Sequence, residues 1–457
     1  MSRKLVYLLL FLSLIAYLIT GYKLQRENFG LLILLYSGLF IVYFGLLKSK
    51  EQISLPLAIA AGLLFRFVML FSFPALSDDV YRFLWDGRLQ QLGINPFDFT
   101  PRQAIAQNPD TFLNLLFPYL NSPDYYSVYP QLLQYIFRVA TEIGGTNLLA
   151  GVIVLKSFIF LIECGNIYLL NKLLALNKLN PRLISIYLFN PLVIIELTGN
   201  IHFEAIMIFF VLLTAWLLQK KQLPQAALAL TLAIQAKLLP LIGIPLLVNK
   251  LGFSKTILFG IGCILLFWIS SPFLWGGTER YLHFFSSLQL YYGKFEFNGS
   301  IYTLFRGAGI WLLGYNPIEW VSKIMMVLTI MLFLIIYKSR SGFLQGFFWL
   351  MVIYLGFSAV VHPWYLAVLV AIYPFTKYRF ALVWTAFVPL TYIAYSETPY
   401  QQNYWIIALE YVVVVGWLIY ETRLENSREY ASVKLFDERI LVKLRSESII
   451  KNAGIKR

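Results

Sequence analysis

Apolar residues in this chain fall in long uninterrupted blocks, unlike the alternating or 3.6-residue patterns of half-buried strands and helices. Blocks near 5–20, 29–47, 53–75, 147–170, 182–198, 203–219, 255–274, 316–337, 343–361, 364–377, 379–396 and 404–420 each approach the roughly 20 residues that a helix needs to cross a bilayer core. They predict an all-α, polytopic transmembrane helical bundle of about twelve spans. Two segments fit less well. Residues 128–143 are short, and 224–247 are broken by Lys237 and Pro240, so either is expected to be re-entrant or a pair of half-helices. The first block follows Arg3 and Lys4, as a signal peptide would, but no small-residue cleavage site comes after it and a second block opens at Phe29. An uncleaved first span is the expectation.

Composition narrows the class. At 59% hydrophobic and 13% charged residues, with mean hydropathy +0.69, a chain of this length has too little polar surface to coat a water-soluble globule. It reads as an integral membrane protein. The net charge of +14 belongs to short loops, not to a nucleic-acid module: no basic-aromatic unit sits on a soluble domain, and no nucleic-acid partner is expected. Cys164 and Cys263 lie inside apolar blocks and read as buried thiols, giving neither a disulfide framework nor a metal site.

The basic residues set the orientation. Arg3, Lys4, Lys48, Lys50, Lys172, Lys178, Arg182, Lys220, Lys221, Lys250, Lys255, Lys338, Arg340, Lys377 and Arg379 share one side if 128–143 and 224–247 do not cross. By the positive-inside rule that side is cytoplasmic, and both termini lie there. Four features then meet on the extracytoplasmic face: the loop 76–127, the turn GNIHFE (Gly199 to Glu204), the loop 273–315 and HPWY (His362 to Tyr365).

Asp78 and Asp79 open the first of these. Ser77 or Asp78 could serve as a helix cap, with Asp79 favoured by the macrodipole. One such residue suffices for a cap, and two carboxylates at the edge of hydrocarbon point to function. The following helix, Val80 to about Leu92, places Tyr81, Leu84, Trp85, Arg88 and Leu92 on one stripe and stops at GINP. That stripe is expected to lie in the outer headgroup layer, presenting the aspartates to a lipid substrate. His202 and His362 join from their turns; no HxxxH or HxH spacing suggests a metal. Arg280, Lys294 and Arg306 could clamp a phosphate.

These residues resemble the GT-C superfamily of multi-span glycosyltransferases, and most closely the bacterial polyprenol-phosphate-mannose-dependent mannosyltransferases. The likeness rests on SDDVYRFLWDGRLQQLGINPF, YSVYPQLLQYIF (Tyr126 to Phe137), GNIHFE, AIQAKLLPLIGIPLL, FNGSIY and HPWY, in that order over about residues 55 to 375. It implies a GT-C-like catalytic domain over 1–420 with extracytoplasmic loops bearing interfacial helices, followed by a cytoplasmic basic amphipathic tail over 421–457. It also implies an inverting transfer of mannose from a polyprenyl-phosphate donor to a glycan, glycolipid or protein acceptor, at a bacterial inner membrane. No cofactor is expected to be required, and the sequence does not indicate a divalent metal. Asp78 and Asp79 match the family's catalytic acidic pair, Asp78 being favoured as base. Arg306, Lys294 and His362 are expected to hold the donor phosphate. Substrate contacts are expected from Tyr81, Arg82, Trp85 and Arg88, from His202 and Glu204, and from Asn298, Trp364 and Tyr365. The rival class is a multi-span transporter or lipid flippase, which would use the intramembrane charges Arg66, Lys156, Lys237, Glu163 and Glu196.

Overall fold

The computed structural model describes residues 2–49, 53–339, 341–396 and 400–426, except for the side chains of 290–294 and 424–426. The tail expected beyond residue 426 lies outside the described residues. The described residues are 77% helical with no strand; the only extended pairing among them joins Phe297 and Asn298 to Val360. The all-α class therefore holds, and each apolar block becomes helix.

Among the described residues, five helices are long and apolar enough to cross a membrane: Arg3–Tyr22, Phe29–Leu47, Leu148–Leu176, Ile318–Lys338 and Tyr404–Arg423. The block at 182–198 becomes a pair, Pro181–Leu188 and Val193–Gly199, bent by 62°. The remaining blocks give shorter helices, because Ser, Gly, Asn and Pro break them near one end: Leu55–Val68, Glu204–Gln219, Phe253–Ile269, Phe343–Phe357, Pro363–Phe375 and Phe380–Tyr395. Segment 224–247 forms two half-helices, Leu223–Ala236 and Leu239–Leu251, meeting at an extended Lys237. Segment 128–143 forms the helix Gln131–Gly144. At 1.5 Å per residue this helix is about 21 Å long, short of a bilayer core of about 30 Å.

Helix Gln131–Gly144 packs instead against the loop helix Asp79–Gln91 and the span Leu148–Leu176. Gly87 makes this possible: a Cβ there would stand 2.3 Å from the Phe137 carbonyl oxygen. Asp86 seals the contact, accepting from Arg82 Nε at 2.9 Å, Gln134 Nε2 at 2.9 Å and Ser127 Oγ at 2.5 Å. This corrects the headgroup stripe. Leu84 and Trp85 are buried, Trp85 against Phe117, while Arg88 grips Asp110. The loop helix is a core element of the outer loop because neighbouring helices cover both its faces.

The charges within the apolar blocks meet the open backbone ends left by these breaks. Arg66 pairs with Glu163 at 2.8 Å and donates to the carbonyls of Gly62, Tyr187 and Leu188, the last two at the end of a broken span. Lys156 donates to the Met69 carbonyl just past Leu55–Val68, and to Ser72. Cations at helix C-termini satisfy carbonyls that lipid cannot. Such charges are structural and need no transport role.

Removing one partner of a fully buried ion pair leaves an uncompensated charge, at a cost of about 3–5 kcal/mol. Arg66→Met should therefore sharply lower the monodisperse yield and melting temperature in detergent. The double variant Arg66→Met/Glu163→Leu should recover part of the loss, but not all, since the carbonyls of Tyr187 and Leu188 stay unsatisfied.

Candidate active site

Asp78 occupies the first-turn boundary of helix Asp79–Gln91 but makes no capping hydrogen bond; Ser77 Oγ receives the Asp79 amide instead. Both carboxylates are thus left for other work. Asp78 Oδ2 accepts from Arg26 Nη1 at 2.9 Å, and the Arg26 guanidinium lies 4.5 Å from the Tyr395 ring centre. Asp79 Oδ1 accepts from Asn121 Nδ2 at 2.9 Å. Burial raises the Asp79 carboxyl from 3.8 to about 6; Asn121 opposes the shift, while Asp78 and Glu204 add to it. Two neighbouring carboxyls are therefore in different states: one ion-paired, one held near neutral pH.

GNIHFE comes to the same place through Asn200. Its Oδ1 accepts from the amides of Ala75 and Leu76 at 3.1 and 3.0 Å, just ahead of the aspartates, and its Nδ2 donates to the Ile195 carbonyl. One side chain thus fastens the end of the broken span to the root of the acidic loop. The turn is strained: Ile201 has φ +61°, which a β-branched residue rarely adopts.

HPWY closes the opposite wall. His202 and His362 lie 3.7 and 4.2 Å from the Trp364 ring centre, inclined by 11° and 5°. Two rings centred on one indole must occupy opposite faces, so both faces of Trp364 are taken and it offers a substrate only its edge. Burial lowers His362 from 6.5 to about 3, with Lys237 adding to the effect, and holds His202 well below its usual value. Both imidazoles are neutral. Lys237, at the break between half-helices, pairs with Glu204 and sits 3.7 Å from the Tyr365 ring centre.

Of the expected residues, Asp78, Asp79, His202, Glu204, His362, Trp364 and Tyr365 converge here. Tyr81 stacks on Tyr119 at 4.8 Å beside Asp78. Arg82, Trp85 and Arg88 are used inside the loop, Arg82 by Asp86 and the carbonyls of Ser122 and Tyr125. Asn298 is buried, its side chain donating to Glu410 and its main-chain amide to Gln402 Oε1, which holds the strand-like pairing with Val360. Arg306 is engaged by Glu296 and Tyr404. The Lys294 side chain lies outside the described residues. The third histidine, His283, bonds the Phe97 carbonyl and stacks on Tyr126, tying the second outer loop to the first.

Sequence reasoning missed Arg26 as a site residue and read Lys237 only as an intramembrane charge. A signal for Arg26 existed: with Lys23 it is basic on the side that the other short loops leave free of positive charge.

Asn200→Ala leaves two amides and the Ile195 carbonyl without their partner, a loss of about 1–3 kcal/mol. Such a variant should still insert, with a lower melting temperature, while catalytic turnover falls far more than stability does. Equal turnover in wild type and variant would show that the aspartates do not depend on this clamp.

No curated protein and no solved structure matches the chain. The family model "Alpha-(1->6)-mannopyranosyltransferase, N-terminal domain" matches residues 18–251, a stretch that contains Arg26, Asp78, Asp79, Asn200, His202, Glu204 and Lys237. Breaks in an apolar helical bundle have gathered a carboxylate pair, two cations and two neutral imidazoles, and the matched stretch holds most of them; the chain belongs to the MptA_B family of membrane mannosyltransferases.

Proposed function

We propose that the protein moves mannose from a polyprenyl-phosphate donor to an acceptor hydroxyl on the extracytoplasmic face, in one inverting displacement with Asp79 as general base. The observation that carries this is the split between the two carboxyls. A base works best with a pKa near the operating pH, and Asp79, raised to about 6, meets that condition. Asp78 is occupied by Arg26 and acts as its anchor. This assignment replaces the initial preference for Asp78.

The chemistry needs little else. As the acceptor oxygen attacks the anomeric carbon, its proton passes to Asp79 and the bond from that carbon to the phosphate oxygen breaks, its electron pair leaving with the phosphate. A phosphate is a good leaving group and needs no acid, unlike the leaving groups of glycosidases. It does need positive charge. A neutral His362 supplies a hydrogen-bond donor but no charge, and Arg306 bonds Glu296 and Tyr404 and not the residues gathered around the aspartates. The cations beside the aspartates are Arg26 and Lys237, so we assign the phosphate to them.

The basic loops argue for the extracytoplasmic orientation, and an extracytoplasmic sugar donor must be carried on lipid because nucleotide sugars are cytoplasmic. The family's name gives an α-(1→6) product. Inversion to an α-linkage requires a β-linked donor, which sets a stereochemical test.

Purified protein should consume β-linked polyprenyl-phosphate mannose and leave the α-linked anomer untouched; use of the α anomer would rule out single displacement. Asp79→Asn should reduce transfer at least about a hundredfold, whereas wild-type rate should rise with pH to about 6 and then level. The stability sign is opposite. Because the folded state holds the Asp79 proton more tightly than the unfolded chain, its contribution is full below about pH 3.8 and is lost as pH rises through about 6. Asp79→Asn should therefore melt higher than wild type at pH 7 while being inactive. A variant both inactive and less stable would identify Asp79 as structural.

A further inference from the structure

His202 is 3% exposed, yet only one edge of its ring is satisfied. Nδ1 lies 2.9 Å from the main-chain oxygen of Glu196, an atom that can only accept, so Nδ1 carries the proton and Nε2 presents a lone pair. Nε2 is buried and has no partner among the described residues. In an imidazole the two nitrogens face nearly opposite ways, so Nε2 points away from Glu196 and the broken span. The ring cannot turn to relieve this. Trp364 lies flat against it at 3.7 Å, and Glu196 is itself fixed by the hydroxyls of Tyr36 and Tyr392 at 2.6 and 3.0 Å. A buried acceptor without a donor is costly, and here it is kept in a strained turn next to Ile201, whose φ is +61°.

We propose that His202 Nε2 accepts a hydrogen bond from a hydroxyl of a pyranose bound at the active site, making it the residue that reads one sugar hydroxyl. The inference rests on the proposed mannosyl transfer and deepens it. Lys237 cannot fill this role, being a donor only; of the nearby carboxylates, Asp78 and Glu204 are held by Arg26 and Lys237, and Asp79 is assigned to the proton of the attacking hydroxyl. A neutral acceptor buried from water discriminates strongly: a sugar lacking the matching hydroxyl leaves it unpaired, and a sugar carrying it pays no charge penalty. The hydroxyl can belong to the transferred sugar or to the acceptor sugar, and the test separates them.

The experiment compares wild type with His202→Asn and His202→Gln in turnover of β-linked polyprenyl-phosphate mannose onto a short α-mannoside. One arm uses 2-, 3-, 4- and 6-deoxy donors; the other uses 2-, 3- and 4-deoxy acceptors. Asn keeps an amide N–H where Nδ1 donates but has no atom at the Nε2 position; Gln restores a polar atom there. In wild type, one deoxy compound should lose about 10- to 100-fold in kcat/KM. In His202→Asn that penalty should shrink to within about threefold, and in His202→Gln it should partly return. The arm in which the coupling occurs names the sugar. Penalties that are the same in all three proteins overturn the assignment, and if neither variant inserts, a wild type indifferent to every single deoxygenation overturns it as well. Turnover of the unmodified donor by wild type is read first: its absence overturns the transfer reading and this inference together, whereas turnover without hydroxyl coupling overturns only the role of His202.

Discussion

A helix that stops inside an apolar bundle leaves carbonyls and amides that lipid cannot satisfy, and this constraint shapes the whole molecule. Arg66 answers it for the carbonyls of Tyr187 and Leu188, Lys156 for that of Met69, and Asn200 for the amides of Ala75 and Leu76. Gln235 does the same at another break, receiving the Gln131 amide and donating to Ser271. Each partner binds a break to a neighbouring element, so the interruptions become fixed points. The side chains of the candidate active site stand on those points: Asp78 and Asp79 beyond Leu55–Val68, His202 beyond Val193–Gly199, Lys237 between two half-helices, and His362 beyond Phe343–Phe357.

Charge is distributed across the site with economy. Two cations each hold one carboxylate, Arg26 with Asp78 and Lys237 with Glu204. Asp79 has only an amide donor, Asn121, and is the carboxyl whose protonation state is adjustable near neutrality. Burial holds the imidazoles flanking Trp364 in the neutral form, so the wall they build can hydrogen-bond without adding charge. On the proposed reading, a donor entering with its own negative charge would meet guanidinium and ammonium groups already in position, which keeps reorganisation small.

Much of this was legible in the sequence. Unbroken apolar blocks fixed the class, and Lys237 with Pro240 marked the half-helices correctly, because an ionic group and a helix breaker together rarely continue a span. The acidic pair and the two short motifs stand out in the sequence because polar clusters at the ends of apolar blocks are expensive unless used, and the fold brings them together. Trp85 and Arg88 were misread: helical periodicity reports a stripe but not what covers it, and Gly87 brings a second helix onto the loop where a headgroup layer was expected. Arg26 escaped because it lies in the short turn between the first two helices, without a motif, and its partner Asp78 is 52 residues away in the chain. Arg306 and Asn298, polar residues of an outer loop expected at the donor and substrate, are drawn into bonds with Glu296 and Glu410.

The claim at the centre is that these fixed points assemble one site for a lipid-phosphate sugar. The most direct measurement is an experimental structure of the protein in a lipid nanodisc with a non-transferable phosphonate analogue of β-linked polyprenyl-phosphate mannose. The account predicts the phosphonate between Arg26 and Lys237, with Asp79 facing the anomeric carbon from the side opposite the phosphonate. A phosphonate seated on Arg306, with the aspartates away from the sugar, would contradict it.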